Sequence, residues 1–108
     1  MDLILKTEIK NIISDQPIII FMKGSKEQPR CGFSSTVVQI FDSLHAEYET
    51  FDVLEDDRIR EGIKEYSKWP TIPQVYINND FIGGTDIIVE LYNSKALQEL
   101  LETVCNEL

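Results

Sequence analysis

Pro17-Ile18-Ile19-Ile20-Phe21-Met22-Lys23-Gly24-Ser25-Lys26-Glu27-Gln28-Pro29-Arg30-Cys31-Gly32-Phe33-Ser34 carries the chain from an apolar run, through a polar loop, to a lone cysteine. Ile18 to Met22 is short, continuously apolar and β-branched, which reads as a central strand covered on both faces. Gly24 to Pro29 is a polar loop. From Gly32 the pattern turns helical, with Val37, Phe41 and Leu44 on one stripe. Upstream, Leu5, Ile9, Ile12 and Ile13 recur at helical spacing and predict an amphipathic helix over 2–14.

Downstream, Tyr48 to Val53 reads as a second strand. Asp56-Asp57 opens a helix whose inner face is Ile59, Ile63 and Tyr66, since carboxylates suit a helix N-terminus. Arg60 and Lys64 lie four apart on a neighbouring face, so both can point at one ligand. Trp69-Pro70-Thr71-Ile72-Pro73 breaks that helix. Val75–Ile77 and Phe81-Ile82 flank Asn78-Asn79-Asp80 and predict a hairpin, because Asn and Asp tolerate positive φ. Gly83-Gly84 ends the strand, and Asp86 is expected to cap a helix over 87–92. Leu97, Leu100, Leu101, Val104 and Leu108 mark a last helix. The fold class is α/β: a four-stranded mixed sheet flanked by helices on both faces, in one domain spanning 1–108.

The 108-residue length suits one domain, with roughly two-thirds of the chain's surface hidden on folding. Apolar residues at 43% and charged residues at 27% exclude disorder and collagen-like repeats. No apolar run is long enough to cross a bilayer. Ten basic against nineteen acidic residues give a net charge of −9, which argues against nucleic acid or a membrane surface as partner. Two cysteines, Cys31 and Cys105, are too few for a disulfide framework or a structural zinc site and suggest a reducing compartment. No signal peptide is visible, so a cytoplasmic location is expected, although a mature organellar protein would read the same way.

Cys31 is the strongest chemical feature. It stands at the start of a helix, where free N–H groups and the dipole favour a thiolate. Lys23 and Arg30 are cationic in an acidic chain and are expected to push the same way. Such a sulfur is a good nucleophile and a good ligand for a soft metal. A serine, Ser34, stands where a dithiol motif has its second cysteine, so exchange chemistry needs an outside thiol.

Phe21-Met22-Lys23-Gly24, Cys31-Gly32-Phe33-Ser34, Trp69-Pro70-Thr71-Ile72-Pro73-Gln74, and Gly83-Gly84 with Asp86 occur in an order and spacing that resemble the CGFS class of monothiol glutaredoxins over about residues 15–93. The resemblance implies a thioredoxin fold, glutathione binding, a cis Pro73, and a 2Fe–2S cluster held between two subunits. The donor count accords with it: a 2Fe–2S cluster takes four thiolates, one chain offers Cys31, and two chains with two glutathione molecules complete the set. Lys23, Arg60 and Lys64 suit the carboxylates of glutathione. Ile72, before Pro73, can offer its N–H and C=O to the tripeptide backbone. Asp86 can accept from the glutathione amino group, with the N–H groups of Thr85 and Asp86 facing a carboxylate. The family often carries cysteine where this chain has Thr85, so a disulfide between that position and Cys31 is closed here.

Read without the resemblance, Arg60 and Lys64 form an ordinary solvated helix face. Trp69 and Phe33 are packing or rim residues, Gly83 and Gly84 serve strand-end geometry, and Thr85 is a cap. Cys105 reads as partly buried core or an incidental thiol, and His45 suits a helix C-terminus. Three functions use the Cys31 site. One is carriage of a cluster from scaffold to acceptor proteins as a cluster-bridged homodimer. The second is glutathione-dependent thiol–disulfide exchange with Cys31 as nucleophile, which the resemblance implies to be weak. The third is an interaction module for BolA-type proteins.

Overall fold

The computed structural model describes residues 1–106, with side chains placed for 1–104. The Cys105 side chain and Leu108 lie outside the described residues. The elements run α1 (Leu3–Ser14), β1 (Ile18–Met22), α2 (Gly32–Ser43), β2 (Glu49–Asp52), a 3-10 turn (Val53–Glu55), α3 (Asp57–Ser67), β3 (Gln74–Ile77), β4 (Asp80–Gly83), α4 (Thr85–Asn93) and α5 (Ala96–Asn106). The sheet order is β2-β1-β3-β4. β1 runs parallel to β2 and antiparallel to β3, and β3 runs antiparallel to β4.

The apolar run in β1 is explained by its central place. Ile18, Ile20 and Met22 pack on one face with Val37, Val38 and Phe41 of α2, Ile88 of α4 and Leu97 of α5. Ile19 and Phe21 pack on the other with Ile9 and Ile13 of α1 and Ile59 and Ile63 of α3. All five strand residues are buried, because successive side chains alternate between two covered faces. α1 and α3 approach closely at Gly62, where a Cβ would come within 2.9 Å of Ile9 Cδ1. This is the expected four-stranded mixed sheet with helices on both faces, the thioredoxin fold.

Several boundaries differ from the sequence expectation. β2 ends at Asp52 and the chain turns at once into the 3-10 segment, whose Val53 is fully buried. Asp52 Oδ1 accepts from the N–H groups of Gly24 and Leu54, both at 2.9 Å, and so ties the end of β2 to the end of β1. The hairpin turn is only Asn78-Asn79, both at positive φ (49° and 72°), and Asp80 belongs to β4. That two-residue geometry matches the twist of the flanking strands. α3 stops at Lys68, which adopts the left-handed conformation at φ 55°, before Trp69 is reached. α4 starts at Thr85 with Gly84 as its N-cap, so Asp86 sits in the first turn and caps nothing. His45 follows α2 at φ 54°.

Gly83 has φ +149°, and a Cβ there would sit 2.7 Å from the Ile87 Cβ. Gly83→Ala is therefore expected to cost about 1–3 kcal/mol through backbone strain and overpacking. Urea unfolding monitored by circular dichroism measures the loss; a midpoint equal to the wild type would contradict it.

Candidate functional site

Cys31 is the N-cap residue of α2, in extended conformation. The hydrogen bonds of the preceding loop place it there. Gly24 and Pro29 form a bridge, and the Arg30 N–H donates to the Lys23 carbonyl at 2.9 Å. Ser25 and Gln28 exchange backbone hydrogen bonds across the loop. The loop thus folds back on itself and returns the chain to the end of β1, where Lys23 stands.

The Cys31 thiol is held below the ordinary thiol range. The largest cause is the Ser34 backbone N–H; partial burial opposes it, and the Phe33 N–H, the Lys23 charge and the Ser34 hydroxyl add to it. No closed capping hydrogen bond forms from the sulfur. The N–H groups therefore act on the charge as oriented dipoles at a helix N-terminus. Lys23 is the cation among the causes of the shift, and Arg30 is exposed. Its side chain leaves the loop for solvent, where its charge is screened. Ser34 is the residue whose role the sequence reading understated. It is fully buried, and its Oγ accepts from the Lys23 N–H at 3.2 Å. One hydroxyl therefore joins the helix that carries the sulfur to the strand that carries the cation.

A groove of about 410 Å³ opens beside Cys31. It brings together Lys23, Lys64, Ile72, Pro73, Thr85 and Asp86, with Phe33 and Trp69 on its sides. Phe33 is 65% exposed and Trp69 37% exposed, so both are rim residues rather than core. Arg60 does not line the groove. It lies one turn back along α3, roughly 6 Å along the axis, half-buried, with an Nε that has no hydrogen-bond partner. Lys64 is the cation of α3 that reaches the groove, and it also faces Glu61 at 3.7 Å.

The open polar groups in the groove are backbone. The Ile72–Pro73 bond is cis. Among the described residues, no backbone hydrogen bond engages the Ile72 N–H or its carbonyl. The first backbone bond of α4 runs from the Ile88 N–H to the Gly84 carbonyl, which leaves the N–H groups of Thr85 and Asp86 open. The Thr85 hydroxyl donates to the Phe33 carbonyl at 3.2 Å, so this side chain fastens α4 to the cysteine turn. Among the described residues, no group of three or more His, Cys, Asp and Glu is placed to hold a metal ion. No helix among them is long and apolar enough to cross a membrane.

A buried sheet that presents a cysteine at a helix start, beside a groove walled by Pro73, places the chain among proteins of the thioredoxin fold. The glutaredoxin family model matches residues 18–82. The ycf64-like monothiol glutaredoxin of Synechocystis sp. is 55% identical over 97 residues, covering 90% of this chain and 91% of the relative. The solution structure of reduced apo GrxS14 from poplar superposes with a TM-score of 0.81 at 50% identity, covering 94% of this chain and 93% of that one. A crystal structure of a buckwheat glutaredoxin–glutathione complex gives a TM-score of 0.83 at 25% identity, covering 94% and 90%. The chain belongs to the glutaredoxin family, among its monothiol members.

Because the thiol pKa is lowered, Cys31 keeps more thiolate at neutral pH than an ordinary cysteine does. Ser34→Ala and Lys23→Met each remove a group that stabilises the thiolate, so each is expected to raise the pKa. The pH–rate profile of iodoacetamide alkylation, read at Cys31 by peptide mass spectrometry, should shift to higher pH in both variants. An unmoved profile would show that neither group acts on the sulfur.

Proposed function

We propose that this chain binds glutathione in the Cys31 groove, holds a 2Fe–2S cluster between two copies of itself, and passes that cluster to apo-proteins. The observation that carries the reading is a half-exposed, low-pKa Cys31 at the mouth of a groove in which serine and threonine, Ser34 and Thr85, occupy the places where a second thiol would stand. A 2Fe–2S cluster takes four thiolates. With one sulfur at the site, the others must come from a second copy and from two glutathione molecules.

The groove suits the tripeptide. Its volume of about 410 Å³ falls in the ~300–1,000 Å³ range of small-ligand sites. Lys23 and Lys64 can meet carboxylates through charge-assisted hydrogen bonds. The open N–H and C=O of Ile72 offer the edge of an added strand, and Pro73 forms the groove wall beside them. The N–H groups of Thr85 and Asp86 face a second carboxylate, and the exposed Asp86 side chain can accept from an amino group. Arg60, whose buried Nε has no partner, is the further cation this reading leaves for a carboxylate. The buckwheat relative is described in complex with glutathione, which supports the same use here.

In this reading non-covalently held glutathione is the first ligand to be replaced, and the two Cys31 thiolates are exchanged last, as the cluster leaves. Four acceptor thiolates take the places of the two glutathione and two Cys31 thiolates in turn, a ligand exchange that needs no redox step. Scaffold proteins would supply the cluster, and BolA-type proteins are candidate regulatory partners at the same exposed face. The setting is a reducing compartment, cytoplasmic or the interior of an organelle. The alternative is glutathione-dependent thiol–disulfide exchange, in which the low-pKa Cys31 attacks a glutathionylated protein and free glutathione resolves the mixed disulfide.

Anaerobic reconstitution with iron, sulfide and glutathione tests the choice. The expected product is a coloured dimer that Cys31→Ser abolishes and Cys105→Ser keeps. A colourless monomer, together with brisk turnover of a glutathionylated peptide, would replace cluster carriage by exchange chemistry.

A further inference from the structure

Gln74 is a wholly buried amide in an apolar layer. It is 0% exposed and shares its face of β3 with Tyr76, over the packing of α1 and α3. A buried amide is costly unless paired. Here Nε2 donates to two carbonyls, Trp69 at 3.0 Å and Thr71 at 3.2 Å, and Oε1 accepts from the Tyr76 hydroxyl at 3.2 Å. The amide orientation is fixed by these partners: turned over, its oxygen would face two carbonyl oxygens.

The two carbonyls belong to the stretch that walls the groove. Between the end of α3 at Lys68 and the start of β3 at Gln74 the chain has no regular structure, and two of its residues are prolines without an N–H. Trp69 is tied by its N–H to Lys64 O and Ser67 Oγ, both at 3.1 Å. The Trp69 carbonyl accepts from Ser67 Oγ as well as from Gln74, and beyond Trp69 the hydrogen bond that holds this wall inward, among the described residues, is the one from Gln74 to the Thr71 carbonyl.

The direction of the Ile72 N–H follows from this. The Thr71–Ile72 peptide unit is trans and planar. In a trans peptide the C=O and N–H point in opposite directions. Fixing the Thr71 carbonyl inward on Gln74 therefore aims the Ile72 N–H outward, into the groove. We infer that Gln74 is a positioning residue that presents the Ile72 N–H to the backbone of a bound peptide ligand, while touching no ligand itself. The inference deepens the proposed function, since it rests on the groove binding glutathione.

The test compares the full-length wild type, Gln74→Leu and Tyr76→Phe by titrating reduced glutathione into 15N-labelled protein. In the wild type the Ile72 amide resonance should move on binding. In Gln74→Leu, glutathione affinity should fall about tenfold, the scale of one lost hydrogen bond. The Ile72 amide should then stop responding, while the pH–rate profile of Cys31 alkylation stays in place. Tyr76→Phe, which removes only the hydroxyl, should show a smaller loss of the same kind and decides the matter if Gln74→Leu does not fold. Wild-type affinity with a responding Ile72 amide in the folded variants would overturn the inference. So would a loss accompanied by a shifted alkylation profile, since that marks general loosening of the site. If the wild type itself does not bind glutathione, the functional reading fails separately. The Ile72 N–H residual dipolar coupling in the free proteins then decides the role of Gln74: a changed coupling in the variants supports it, and an unchanged one overturns it.

Discussion

The charge on one sulfur is held where the N-terminus of α2 meets the end of β1. Ser34 makes that junction. Its backbone N–H acts on Cys31 directly, and its hydroxyl bonds the Lys23 N–H. Helix dipole, strand-borne cation and buried hydroxyl are therefore not independent contributions. All three depend on α2 docking against β1, and that docking is maintained by Val37, Val38 and Phe41 packed on Ile18, Ile20 and Met22. Loss of that packing would leave an ordinary thiol in water. The apolar core is thus a condition for the electrostatics and not a separate matter of stability.

A chain of net charge −9 nevertheless builds a cationic groove, because fields inside a cleft are set by the nearest groups and distant surface charges are screened. Lys23 directly follows β1 and Lys64 belongs to α3, and the open N–H groups of α4 add partial positive charge from a third direction. The exposed Phe33 and Trp69 give the groove an apolar rim without enlarging the core.

The wall opposite the sulfur is built differently. It has no ladder of its own, and its shape comes from a buried amide, a left-handed residue at Lys68 and two prolines. Such a wall is specified by a few directional bonds, whereas the α2 side is specified by packed area. Polar substitutions should therefore act on ligand geometry at one side of the groove and on sulfur ionisation at the other.

The sequence alone was sufficient for the element order, the two-faced burial of Ile18 to Met22, and the placing of Cys31 at a helix start. Those properties follow from local periodicity and from where helices can begin. It was also sufficient to gather Lys23, Cys31, Ile72, Pro73, Thr85 and Asp86 as one candidate site, through the spacing of four motifs. It gave Asp86 a capping role that belongs to Gly84, and it did not show that Lys64 lines the groove while Arg60 stands one turn away from it. Such differences concern where a side chain points after the elements have docked. Neighbours in sequence share a stretch of backbone but not a side-chain direction. The coupling of Ser34 to Lys23, and of Gln74 to the Thr71 carbonyl, was decided by tertiary structure alone. Those bonds exist only once a strand, a helix and an irregular wall are brought within hydrogen-bonding distance, and no periodicity within a single element encodes that meeting.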